Sequence, residues 1–223
     1  MNQIKTVSNF EELISTSFDG AVNALCWSRE LIGDFSEIVS AIEMEERIME
    51  INVQTLMNLE LSSQGQLARE ILVADLNILK AHGAAPVLNI IESYERDDFF
   101  FPTDVYSFHV DRSPVPTDTF LCTYHGASSD ILPNSQGTQK VQIPELRAEL
   151  NKLYNGPEEG FDAFLEEHFF DLHYQPKPNA LPINLGIGNM WKIATDHPES
   201  NVLPCLHRAP IENPGEKRLL LIC

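Results

Sequence analysis

A chain of 223 residues with 43% apolar and 9% aromatic side chains holds enough material for one substantial core, which excludes wholesale disorder. Its formal charge of −18, from 33 acids against 15 Lys and Arg, repels polyanions, so no nucleic-acid partner is expected. No run of about 18 apolar residues is present to span a bilayer and the first residues lack signal-peptide character, so a cytoplasmic protein with no membrane partner and four reduced cysteines is expected.

Residues 1–85 predict a helix-rich part that packs on a barrel. Ser8 with Glu11, and Asp34 with Glu37, have capping-box spacing, the second ahead of Phe35, Ile38, Val39 and Ile42 on one helical face. Leu67, Ile71, Leu72, Leu76 and Leu79 predict a further helix, ended by Gly83 and Pro86. Segments 21–27 and 51–61 stay open to strand. From Pro86 the period changes to β, with strands expected at 87–94, 104–110 and 119–124 in a closed antiparallel arrangement. Residues 133–182, rich in Pro and Gly and with acidic amphipathic stretches at 144–154 and 158–171, read as a helical insertion on the barrel rim. The β pattern resumes at 187–195 and ends at 217–222, the strand expected to close the fold. The whole reads as one α+β domain, with a barrel over 86–223.

The chemistry concentrates in Asp104-Val-Tyr-Ser-Phe-His-Val-Asp111. Strand alternation places Val105, Ser107, His109 and Asp111 on one face and Tyr106, Phe108 and Val110 on the other. An imidazole and a carboxylate two residues apart, joined by His207 from a distant strand, would form a 2-His-1-carboxylate face that leaves iron(II) three open positions. With seven His among this many acids, one HxD or HxE is expected by chance, and His197-Pro198-Glu199 is read as that one. The balance shifts with Arg218, eleven residues after His207 in the apolar run Lys217-Arg-Leu-Leu-Leu-Ile222. A guanidinium inside a barrel strand is costly to bury unpaired, so it should face an anion, and a dicarboxylate such as 2-oxoglutarate suits a bidentate fork.

In this order, His109-Val110-Asp111, His207 and Arg218 resemble the Fe(II)/2-oxoglutarate-dependent dioxygenases. The stretches FHVDR, FLCTYHG and LHRAPIENPGEKRLLLI also look like an uncharacterised bacterial group within that superfamily. The resemblance covers about 86–223 and implies a double-stranded β-helix, jelly-roll or cupin-like, with flanking N-terminal helices. It implies Fe(II) held by His109, Asp111 and His207, 2-oxoglutarate as cosubstrate on Arg218, O2, and hydroxylation of a small-molecule or peptide substrate. Where the family places Ser or Thr two residues after the Arg, this chain has Leu220, and Tyr124 or Arg208 is expected to supply the missing cosubstrate contact. His125, Trp191 and Lys192 are secondary candidates for the pocket wall; His82, His168 and His173 receive no role. Two rival readings stand: a cupin-like metalloprotein with the same ligands and no 2-oxoglutarate, and a non-catalytic interaction protein. Substrate and oligomeric state stay open.

Overall fold

The computed structural model describes residues 3–223. In chain order the elements are β1 (Ile4–Val7), α1 (Phe10–Ser15), β2 (Ala24–Trp27), α2 (Phe35–Ser40), β3 (Ile48–Glu50), α3 (Val53–Asn58), α4 (Ser63–Ala81), β4 (Val87–Ile91) and β5 (Phe108–His109). There follow β6 (Asp118–His125), β7 (Asp130–Leu132), β8 (Gly137–Gln139), α5 (Pro144–Asn151), α6 (Phe161–Glu167), β9 (His173–Pro176), β10 (Ile183–Asn184), β11 (Met190–Ala194), β12 (Leu206–Arg208) and β13 (Arg218–Ile222). The class is α+β. A seven-stranded sheet runs β1-β2-β11-β6-β13-β4-β3 and a six-stranded sheet β10-β7-β12-β5-β9-β8. All pairings are antiparallel except β1 with β2. One of the two sheets curls into a half-barrel.

The helices form where local chemistry caps them. Asp34 accepts the Glu37 amide, and Asn52 and Ser62 do the same for α3 and α4. At the first helix the cap is Asn9, whose side chain accepts from Glu12, so the expected Ser8 and Glu11 pairing lies one residue early. The Glu37 carboxylate departs from the box pattern, reaching the Ser62 amide at 2.7 Å and hydroxyl at 2.5 Å and so fastening α2 to the start of α4.

Parity along the large sheet decides what faces what. Leu88, Ile90, Phe120, Cys122, Tyr124, Leu219 and Leu221 point to one side and form a core with Leu13, Ile38, Leu56, Leu72 and Leu79 of the helices. The alternate residues Asn89, Ile91, Thr119, Leu121, Arg218 and Leu220 point the other way, toward the small sheet. The helices thus seal one face and leave the other free to enclose a cavity.

Several expectations are corrected. Residues 3–85 pack α1–α4 on the large sheet and also supply β1, β2 and β3 to it, with β1 and β3 at its two edges. The doubtful segment 51–61 is helix α3, preceded by β3. Segment 133–182 contributes α5 and α6 as expected, but also β8 and β9, and β9 pairs directly with β5. Strand β13 lies centrally, between β6 and β4. Its approach to β6 requires Gly126, whose φ of +81° and 2.7 Å clearance to the Lys217 carbonyl leave no room for a Cβ.

Candidate metal centre

The 104–110 strand is shorter than its sequence suggests, since residues before Phe108 form turns. Alternation still holds where it matters. Phe108 and Val110 pack against Leu132 and Leu206, while His109 and Asp111 face the cavity. β12 lies antiparallel to β5 with His207 directly opposite His109, and the two rings are 4.5 Å apart between centroids. The His207 Nε2 stands 3.5 Å from Asp111 Oδ1, and donor atoms of all three residues lie within 4.8 Å of one another. Among the described residues this is the only such cluster.

The surroundings orient each donor. His109 Nδ1 is 2.7 Å from the Ser107 carbonyl and His207 Nδ1 3.2 Å from the Cys205 carbonyl. A carbonyl only accepts, so both Nδ1 atoms carry the proton and both Nε2 lone pairs are available to a metal. Asp111 Oδ2 accepts from the Thr119 hydroxyl at 2.5 Å, leaving Oδ1 for an ion. Burial and the neighbouring His207 ring push His109 down to about 4, so it is neutral at physiological pH. Burial acts to raise Asp111, yet His207 and the Thr119 hydroxyl hold it below the ordinary carboxylate value. A neutral imidazole and an ionised carboxylate are the protonation states a divalent cation requires. The donor set therefore fits a metal ion.

The same cavity, about 250 Å³, is walled by Ile91, Leu121, Leu220 and Ile222 and contains Arg218. Arg218 is 2% exposed. It donates to Ser129 at 2.7 Å, Thr123 at 3.0 Å and Tyr94 at 3.4 Å, all hydroxyls, and its Nε has no partner. No carboxylate of the described residues lies within 4 Å of it. Burial lowers its pKa from the ordinary guanidinium value, only partly offset by Tyr94 and Glu212.

The two other expected cosubstrate contacts lie elsewhere. Tyr124 belongs to the opposite parity of β6. It stacks on Phe35 with centroids 5.3 Å apart and donates to Asp75 at 2.6 Å, inside the helix-covered core. Arg208 turns away from the cavity, stacks over Phe108 at 4.5 Å and pairs with Asp130 at 2.8 Å. Thr123, one residue before Tyr124, and Ser129 provide instead the hydroxyls beside Arg218 that Leu220 lacks. Trp191 donates to the Leu185 carbonyl in the inner core, Lys192 pairs with Asp118, and His125 is 3.7 Å from Glu216. None of the three lines the cavity.

His173 lies outside the three-donor set, but at a place the sequence does not announce. It lies opposite His109 across β9 and β5, so His207, His109 and His173 form a row over three neighbouring strands. Its ring is 5.9 Å from that of His109 and its Nδ1 is buried without a partner. Only the pairing of β9 with β5 reveals this, and no residue spacing announces it.

No family model, curated protein or solved structure matches the chain.

Proposed function

We propose that the protein is an Fe(II)- and 2-oxoglutarate-dependent oxygenase, a hydroxylase acting on a substrate whose reacting end is small. The observation that carries this reading is the pairing, in one cavity, of a three-donor metal face with a buried guanidinium that has no carboxylate of its own. Two facing sheets around a His-Asp-His set also suit a cupin-like double-stranded β-helix, which we infer as the architecture.

His109, Asp111 and His207 would hold the iron, with three positions left for cosubstrate and O2. Arg218, with Ser129 and Thr123, would receive the far carboxylate of 2-oxoglutarate, and Tyr94 would border it. With both groups bound, the pair supplies an oxidation in which 2-oxoglutarate yields succinate and CO2 and one oxygen atom enters a substrate C–H bond. Ile91, Leu121, Leu220 and Ile222 keep water from the reacting end. The Ser107 and Cys205 carbonyls hold the two imidazole tautomers throughout. A volume of about 250 Å³ lies below the roughly 300–1,000 Å³ of sites for drug-sized ligands, so with cosubstrate in place only a narrow substrate tip is admitted.

The test is anaerobic addition of 2-oxoglutarate to the Fe(II)-loaded protein. A visible metal-to-ligand charge-transfer band, lost in Arg218→Met, and succinate release in air are expected. Tight metal binding without either would leave a cupin-like metalloprotein, and absence of stoichiometric metal binding would remove both readings.

A further inference from the structure

On the reverse side of the strand that carries His109 lies a second cavity, about 420 Å³, which shares no lining residue with the metal cavity. Its walls include Phe101, Tyr106, Phe108 and Tyr174, and three cations reach it: Arg96, Lys140 and Arg208. Three of only 15 Lys and Arg in a chain of charge −18 thus meet at one concave place.

Two of the three have no carboxylate partner. Lys140 is 6% exposed, and its ammonium donates to the Pro102 carbonyl and the Ser107 hydroxyl, both at 2.7 Å. An ammonium has three donors, so one is left for the cavity. The nearest acids, Asp97 and Asp104, act on it only at a distance, because their oxygens are taken by amides and the hydroxyl of their own loop. Burial pushes Lys140 down to about 8, leaving it cationic at neutral pH. The Arg96 guanidinium carbon sits over Tyr106, 3.5 Å from the ring centroid, and Arg96 forms no ion pair among the described residues. Arg208 is different, since Asp130 neutralises it. An ammonium buried on two neutral oxygens and the Phe101 ring, with its nearest acids acting only at a distance, is costly to maintain unless an anion visits it. The rings around it favour an anion with an apolar body over a bare ion.

We propose that this cavity binds an organic anion, a carboxylate or phosphate joined to an apolar body, with Lys140 and Arg96 as its charged contacts and Tyr106, Phe101 and Tyr174 as its walls. The proposal does not depend on the oxygenase reading, because no metal ligand faces this cavity.

Calorimetric titration of the full chain with benzoate, phenyl phosphate and inorganic phosphate tests it and separates the two headgroups. One aromatic anion is expected to bind with one-to-one stoichiometry and a Kd tighter than about 1 mM. Lys140→Met and Arg96→Gln should each weaken it about tenfold or more. Arg218→Met and Asp111→Ala should leave it unchanged. Because Lys140 is buried and its substitution can impair folding, the exposed Arg96→Gln decides if Lys140→Met does not fold. Binding by none of the probes, affinity that survives Arg96→Gln, loss of binding in Arg218→Met, or inorganic phosphate binding as tightly as the aromatic anions would each overturn the proposal.

Discussion

Replacing Arg218 by Met separates a ligand-binding guanidinium from a structural one. Arg218 is 2% exposed and satisfied only by hydroxyls, with good distances to Ser129 and Thr123 and a long one to Tyr94. Hydrogen bonds to a charged group contribute about 1.5–3 kcal/mol each, so the two short ones supply about 3–6 kcal/mol. The penalty for burying the charge is also several kcal/mol, so the two nearly cancel. Methionine fills similar length without charge, and the metal-free variant should therefore melt within about 4 °C of the wild type, or above it, at about 2–4 °C per kcal/mol for a chain of this size. An arginine held by a carboxylate would behave differently: breaking such a pair costs about 3–5 kcal/mol, a fall of about 6–20 °C. Affinity should move the opposite way. Loss of a bidentate charge-assisted contact removes about 3–6 kcal/mol, which weakens 2-oxoglutarate binding by about two to four powers of ten. Calorimetric melting and anaerobic titration of the Mn(II)-substituted protein measure both. A variant that melts 10 °C or more lower yet binds 2-oxoglutarate normally would refute the reasoning.

Alanine at Asp111 or His207 should abolish stoichiometric metal binding, read by elemental analysis after dialysis against Fe(II). Thr119→Val removes the hydroxyl that orients Asp111 and should cost a further, milder 10- to 100-fold in metal affinity by competition titration. Tyr124→Phe removes one bond to Asp75; it should lower stability by about 1 kcal/mol and leave 2-oxoglutarate affinity unchanged, as a change outside the cavity must. Burial, with His109 and Lys140 nearby, holds His173 down at about 4. An unfolded chain takes up that proton near 6.5, so the metal-free protein should be most stable above pH 6.5 and lose about 3 kcal/mol through this group as pH falls toward 4. Denaturant unfolding at pH 6.5 and 4.5 should show a smaller loss in His173→Phe.

Much of the site was legible because it rests on short-range rules. Alternation placed His109 and Asp111 together from two residues of strand, and the cost of an arginine in an apolar strand marked Arg218 as facing something polar. What failed to read was whatever depends on pairing between distant strands. His173 lies beside His109 only because β9 returns antiparallel to β5 from within a segment rich in Pro and Gly. Parity also explains the placement of Tyr124: the residue of that pair on the Arg218 side is Thr123, and an aromatic hydroxyl at a strand end gives no sign of which face the sheet will bury. β1, β8 and β10, each of two to four residues, have too little sequence to show a period, so the sheet edges were invisible.

Arg29 and Arg218 show why burial alone could not have located the site. Arg218 lies in the large sheet and Arg29 just past the end of β2, and both are largely withdrawn from water, Arg29 with 10% of its side chain exposed and Arg218 with 2% exposure. Arg29, on the helix side, is clamped by both oxygens of Asp75, at 2.8 and 2.7 Å, and burial is outweighed by this pair so that its pKa rises. Arg218, on the cavity side, has only hydroxyls, and its pKa falls. The first is complete within the chain and needs no ligand. The second retains an unpartnered Nε and lines a cavity shared with three metal-type donors. A bound anion would offset that imbalance, so the difference in partners, rather than the shared burial, sets Arg218 apart from Arg29.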